Sequence, residues 1–406
     1  MEVSHDDRTE LLLALGRGLH QAGITTDALE ETLRGVAMAC DVELQVNALP
    51  TSLTLAVGPA FEQRLLILRL EPGKVHLRKL ALLEAVVDGL RRGRTTPGEA
   101  LAAVVAIDTA VQPAPPLRSV FAYALLSTGT ALLLGGANGE VMVSALIGVA
   151  IGAIAAAGER SRRVDRVFEV GAAFVATVII GLWERFVSPI SLYVVLIAGV
   201  VQLLPGYSLT TALNELANRN LVSGTARLGG VLVTLLALGC GFALGAGLSG
   251  NTILSGPTVS PGHVTPLSTA LAAILMALGI AFILHARFRD VGWIVASCLA
   301  TVTLAHYLPA LGITQATPFA TAFAIGLATN LAARYLRIPQ AVVLIPGLLV
   351  LVPGSISYES LLYVFQADTT DALSLATRAL LAAILIVAGF LTSQLLAPPP
   401  RRVVER

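Results

Sequence analysis

Charge is scarce in this sequence: charged residues are only 13% of its 406 positions, and hydrophobic residues are 55%. Soluble domains carry roughly 25% charged residues, so this balance excludes an ordinary water-soluble protein and marks an integral membrane one. The net charge is +1 and no basic cluster is interleaved with aromatics, which excludes nucleic acid as a partner. Cysteine is scarce too. Cys40, Cys240 and Cys298 form no CxxC pair and no ligand cluster, so a disulfide framework and a cysteine-bound metal are excluded and the three read as small apolar packing residues. The chain has no GxSxG, HExxH, GxxxxGK(S/T) or GxGxxG motif, and neither metal nor cofactor is expected. It also lacks a signal peptide: Met1–Glu10 is polar and acidic, and the apolar run Leu11–Leu15 is too short for an h-region.

The charge present is unevenly placed. Residues 1–118 hold 12 of the 27 Lys and Arg and read as a soluble, cytoplasmic part; from Ser119 to Ala397 apolar runs dominate. Leu11–Gly23 has helical periodicity, and a second helix capped by Thr26 or Asp27 runs to Ala39. The period then changes to two. Val42–Val46 and Leu53–Val57 alternate, Arg64–Leu70 reads as a third strand, and 71–74 as a turn. Leu77–Leu90 is helical again, and Thr96-Pro-Gly-Glu99 is a capping box that starts a helix running to Ala110. The expected domain is thus a small α+β unit over 1–111, joined to the membrane by a Pro-rich linker, 112–118. It holds no catalytic constellation. His20 and His76 read as isolated surface histidines, and Arg91-Arg92-Gly-Arg94 as a solvated helix end.

The stretch VLIAGVVQLLPG, Val195–Gly206, recurs as VLIPGLLVLVPG, Val343–Gly354, at an offset of 148 with seven of twelve positions identical. Ten spans can be counted around it: 119–135, 140–157, 168–183, 188–204 and 221–248, then 267–285, 291–308, 318–336, 340–352 and 372–396. Adding 148 to each of the first five lands on its counterpart. Basic residues test the count. With the N-terminus inside, the inner connections and tail hold thirteen Arg and the outer ones only Arg185 and Arg378. Five spans per half make the second half enter with opposite polarity. The fold class expected is therefore a polytopic α-helical membrane protein, a 5+5 inverted-repeat bundle (119–250 and 267–397), with the α+β domain before it, an external loop (251–266) and a cytoplasmic tail (398–406).

Spans four and nine are the shortest and carry Gly199 and Gly347 at equivalent places; span nine adds Pro346, which removes a ladder donor. Pro205-Gly206 is expected at the cytoplasmic end of span four and Pro353-Gly354 towards the outside at the end of span nine. Each is followed by a polar stretch resembling a re-entrant half-helix, with Ser208, Thr211, Asn214 and Glu215 in the first and Ser355 and Ser357 in the second. Half-helix N-termini present unpaired N–H groups suited to a carboxylate. Gln202, beside the first Pro-Gly, and Asn330 in span eight complete the candidate binding residues; Glu169, Glu184 and Glu215 are the candidate coupling carboxylates. The GxxxG pairs Gly148/Gly152 and Gly241/Gly245 read as close helix packing.

The motif LLxLGxxLxxxG over Leu12–Gly23, followed by two five-helix halves each carrying a Pro-Gly after its fourth helix, resembles the threonine/serine exporters over nearly the full length. The resemblance implies a secondary exporter of the inner (plasma) membrane, driven by the proton-motive force, with both termini cytoplasmic. Its expected partners are a small zwitterionic amino acid (L-threonine or L-serine), protons and the bilayer, and a homo-oligomer is open. The alternatives are a dicarboxylate exporter, which would want cations deep in the membrane, and a membrane-anchored hydrolase using the N-terminal domain.

Overall fold

The computed structural model describes residues 5–59, 61–71, 73–110, 115–249, 264–336, 338–351, 354–365 and 369–398. Residues 112–114 of the linker, most of the 251–266 loop, Pro353 and most of the tail lie outside the described residues.

The N-terminal unit runs α1 (His5–Gln21), α2 (Thr26–Ala39), β1 (Leu44–Leu49), β2 (Ser52–Val57), β3 (Arg64–Arg69), α3 (Leu77–Arg91) and α4 (Pro97–Ala110). The strands form an antiparallel meander in the order β1-β2-β3. Its alternation puts one cross-strand row, Val46, Leu55 and Leu66, on the face that packs with Leu11, Leu15, Leu29 and Leu33. The first strand begins at Leu44 rather than Val42 because the end of α2 holds the chain. The Val42 N–H donates to Ala37 O, and Asp41 turns through φ 54°. The capping box forms: Thr96 N–H donates to Glu99 Oε2 at 2.8 Å and Glu99 N–H to Thr96 Oγ1 at 3.4 Å.

Several polar residues of this unit are more deeply engaged than their isolation in sequence indicated. His20 is 5% exposed and its Nε2 lies 3.3 Å from Leu49 O. His76 caps α3, its Nδ1 accepting from Lys79 N–H at 3.2 Å, and its ring stacks on His285 at 4.5 Å. Arg91 is no solvated end either: it donates to Thr32 O at 3.1 Å, while Arg92 and Arg94 both reach Asp88. Cys40 and Cys298 are buried packing residues as expected, whereas Cys240 lies exposed on its helix.

The rest of the described chain is helical: α5 (Pro116–Leu133), α6 (Asn138–Gly158), a short α7 (Arg162–Asp165), α8 (Phe168–Phe186), α9 (Leu192–Val200, extended by a 3-10 turn to Leu203), α10 (Gly206–Ala217) and α11 (Leu221–Leu248). Then come α12 (Pro266–Ile283), α13 (Val291–Tyr307), α14 (Thr317–Leu331, continued by a π-helical turn to Leu336), α15 (Gln340–Leu351), α16 (Gly354–Phe365) and α17 (Thr369–Leu396). Six helical segments are long and apolar enough to cross a membrane, or seven if the pair 192–203 and 206–217, bent by 58°, counts as one. The segments that fall short of ten have visible reasons. Helix α8 carries Glu169, Glu184 and Arg185, α14 has only 15 residues, and α5 is diluted by Arg118 and by Ser, Thr and Gly.

Packing repeats itself. α5 lies on α6, α8 on α11, α10 on α11 and α6 on α9; likewise α12 lies on α13, α14 on α17, α16 on α17 and α13 on α15. Across the middle α5 lies on α12, while the crossing helices are exchanged: α10 touches α17, and α16 touches α11. The α5–α12 seam is reciprocal at an offset of 150. A Cβ at Gly129 would stand 2.8 Å from Ala272 O and from Met276 Cγ, and one at Gly279 would stand 2.8 Å from Ala122 O and 3.0 Å from Leu126 Cβ. The two helices approach through these glycines, the small-residue packing that lets helix backbones touch where burial between helices gains little. Gly148 and Gly152 bring α6 onto α5, and Gly241 and Gly245 bring α11 onto α8, in the same way.

The N-terminal unit sits against one set of helix ends. Leu77 N–H donates to Leu284 O at 2.8 Å, His76 stacks on His285, Thr26 reaches Glu215, Asn218 reaches Asp27, and Ala341 packs on its core. The α6–α8 connection joins through Arg162–Glu71 and Lys74–Asp165.

Candidate functional site

The two Pro-Gly segments meet. A Cβ on Gly354 would stand 3.0 Å from Leu204 Cβ and 3.3 Å from Gly206 Cα, a distance at which the neighbour must give way. This corrects the expectation that they mark opposite ends of a pathway. The reason is length. Each of α10, α15 and α16 has 12 residues, and so does the run 192–203 before the first Pro-Gly. Twelve helical residues rise only ~18 Å, and a hydrocarbon core is about 30 Å thick. Neither piece alone is long enough to cross, and the first Pro-Gly lies at the 58° bend between its two pieces.

Around this junction several uncharged polar side chains are incompletely satisfied, and Glu359 lies half-buried beside Tyr358. Gln202 donates Nε2–H to Gly199 O at 3.0 Å, and its Oε1 is buried with no partner. Within α10, Thr210 is 5% exposed with an unpartnered Oγ1, and Asn214 Oδ1, one turn further, is unpartnered as well. Thr211 is buried and bonded to Tyr207, while Ser208 faces outward, so the expectation for Ser208 fails. The reason is phase: the buried face of α10 runs through Gly206, Leu209, Thr210 and Thr211. In α16, Ser355 and Ser357 are half-buried, and Tyr358, which the sequence reading passed over, is fully buried with its OH unpartnered.

The remaining sequence candidates lie elsewhere. Asn330 accepts from Gln340 Nε2 at 3.0 Å, a clamp between α14 and the start of α15. Pro346 and Gly347 pack on α13, where a Cβ at Gly347 would stand 2.7 Å from Ser297 Oγ; Ser297 donates to Val343 O at 2.6 Å. Glu169 and Glu184 sit half-buried at the two ends of α8. Glu215 is fully buried, but it pairs with Arg227 Nε at 2.9 Å and accepts from Thr26 Oγ1 at 3.0 Å, at the seam with the N-terminal unit. That position makes it a strut, not a carboxylate exposed to a pathway. Glu140, read from the sequence only as the start of a span, is 5% exposed and accepts the Ser191 N–H at 2.9 Å, fixing the entry to α9. Among the described residues no group of His, Cys, Asp and Glu is placed to hold a metal ion.

Residues 10–249 match the family model of the threonine/serine exporter ThrE, and residues 269–396 match a second model described as Threonine/Serine exporter, ThrE. The chain belongs to the threonine/serine exporter family. It is thus a membrane protein of a transport family, as the helix content also indicates. Among curated relatives, it is 24% identical over 387 residues to a protein of Eremothecium gossypii named Pheromone-regulated membrane protein 10, covering 92% of this chain and 51% of that one. It is 25% identical over 366 residues to the protein of that name in Kluyveromyces lactis, covering 87% of this chain and 38% of the other. This exporter-family chain therefore spans about half the length, or less, of these fungal proteins. No solved structure matches it.

Proposed function

We propose that the chain is a secondary exporter of L-threonine and L-serine, driven by protons, that carries its substrate past the junction of the two Pro-Gly segments. The observation that carries this reading is the contact of Gly354 with Leu204 and Gly206, which brings the two copies of the sequence repeat together in the interior. In this reading the membrane part is a 5+5 inverted repeat of ten spans, with α9–α10 as the fourth and α15–α16 as the ninth. The repeated packing pairs and the reciprocal Gly129/Gly279 seam support it. Inverted repeats place a substrate site at their interface and alternate access by moving one half against the other. The side that carries the N-terminal unit also carries Arg160, Arg162, Arg219, Arg227, Arg287 and Arg289, which supports cytoplasmic termini in the inner membrane.

The neutral polar side-chain atoms of the junction suit a zwitterion, whose two charges cancel overall. A dicarboxylate would want a free cation, and Arg227, which lies beside the end of α10, is committed to Glu215. The test is uptake of labelled L-threonine, L-serine and succinate into proteoliposomes under an imposed pH gradient. Movement of the amino acids but not succinate is the expected result. Transport of succinate alone, or of none of the three, would overturn the proposal.

A further inference from the structure

Helical threonines in this protein usually return their hydroxyl to the carbonyl one turn back, as Thr128, Thr130, Thr177, Thr269 and Thr392 do. Thr210, like Thr321 and Thr329, does not, although it is buried in α10. Adding the repeat offset of 148 to Thr210 gives Tyr358, whose hydroxyl is likewise buried and unpartnered. Each stands four residues beyond the glycine of its own Pro-Gly, one helical turn into the segment that follows. A buried hydroxyl without a partner is a standing cost that a merely structural position has no reason to keep.

The placement of Tyr358 is specific. It belongs to the second half of the chain, yet its ring packs in the apolar cluster of the first, with Val195, Val200 and Leu203 from the run that leads into the first Pro-Gly. Gln202, whose Oε1 is also unpartnered, sits in that same run. In return α10, which carries Thr210 and Asn214, lies against α17 of the second half, with Leu209 packed on Ala383 in one cluster. Both crossing helices therefore carry an unpartnered hydroxyl at the repeat-equivalent place, and both also touch the opposite half.

We propose that Tyr358 and Thr210 are repeat-related specificity residues that bind the carried molecule by hydrogen bonds, together with Gln202 and Asn214. This rests on the transport reading above. None of the four is charged, so the pair selects by hydrogen-bond geometry and not by net charge. A ligand offering both donors and acceptors, such as a hydroxyl-bearing amino acid, satisfies the two amide oxygens and the two hydroxyls together. An alkyl analogue of the same size leaves them unpaired, the arrangement that discriminates most sharply between otherwise similar molecules.

The experiment uses Tyr358→Phe and Thr210→Val in the full chain, with Ser360→Ala as a control. Ser360 sits on the same helix as Tyr358 but donates its hydroxyl to Ala372 O at 2.6 Å. Proteoliposome uptake of L-threonine and L-valine is read as KM and maximal rate, alongside melting in detergent without ligand. The expected result is a rise of tenfold or more in KM for L-threonine in both hydroxyl-removing variants, reduced preference over L-valine, and a melting temperature equal to or above the parent's. S360A should melt lower with KM unchanged. A KM within twofold of the parent in Y358F and T210V, with the parent transporting normally, overturns the assignment while leaving the transport reading intact. A parent that moves no amino acid removes both.

Discussion

The crossing segments Gly206–Ala217 and Gly354–Phe365 have equal length and follow copies of one twelve-residue motif, yet they are held differently. The first is anchored at its far end: Glu215 pairs with Arg227 on α11 and accepts from Thr26 of the N-terminal unit, and Asn218 reaches Asp27. At the offset of 148, Glu215 becomes Tyr363 and Arg227 becomes Leu375, so the second segment has no counterpart of this ion pair. An internal repeat supplies two equivalent helices, and the N-terminal unit makes them unequal by gripping only one.

Breaking the grip should have the largest effect. Glu215→Ala leaves Arg227 half-buried and unpaired, and removal of one partner of such a pair costs on the order of 3 kcal/mol. The expected outcome is a markedly lower melting point in detergent, whereas Tyr363→Ala, at the matching place, costs less. If the two variants melt alike, the asymmetry is not energetic. The seam tests the opposite claim, that the halves are equal. Gly129→Ala and Gly279→Ala each force a methyl against a carbonyl, and such overpacking costs typically about 1–3 kcal/mol. Chemical denaturation should give two losses of similar size, and a strong inequality would sink the reciprocal reading.

Acid should loosen the grip through a second contact of the N-terminal unit. Burial, with the neighbouring His285, lowers the His76 pKa from 6.5 to about 4, and Lys79 and Arg118 push it the same way. The unfolded chain then takes up a proton that the folded state resists. Stability is whole above about 6.5, falls as the pH drops below that value and levels near 4. Melting curves across that window should show the decline, and His76→Asn, which keeps a capping side chain without a titrating ring, should flatten it. At the small end, Arg162–Glu71 spans 3.9 Å between side chains 86% and 87% exposed. Surface pairs of this kind contribute little, so Glu71→Ala should leave the melting point unchanged.

Much of the layout was legible from residues 11–110 alone, because periodicity, turn residues and a capping box are local signals. The strands at 53–57 and 64–69 and the start of α4 fall where alternation and Thr96-Pro-Gly-Glu99 put them. The candidate site was legible only in part. The repeat pointed to Pro205-Gly206 and Gly354, but helical phase turns Ser208 outward and Thr210 inward, and nothing in the polar stretch 355–360 marks Tyr358 as its fully buried side chain. Asn330, Glu169, Glu184 and Glu215 were singled out because polar groups are rare there, a signal that does not separate a strut from a site.

By itself, the sequence determined that this is a helical membrane protein with an internal repeat and an α+β unit ahead of it, since composition, periodicity and self-similarity are properties of the chain. Only the tertiary structure decided that the two Pro-Gly segments touch, that each crossing helix also touches the opposite half, and that Glu215 is spent on Arg227 and Thr26. Those are contacts between residues from twelve to nearly two hundred positions apart. Which buried polar group finds a partner depends on which distant helix arrives beside it, and no local pattern records that.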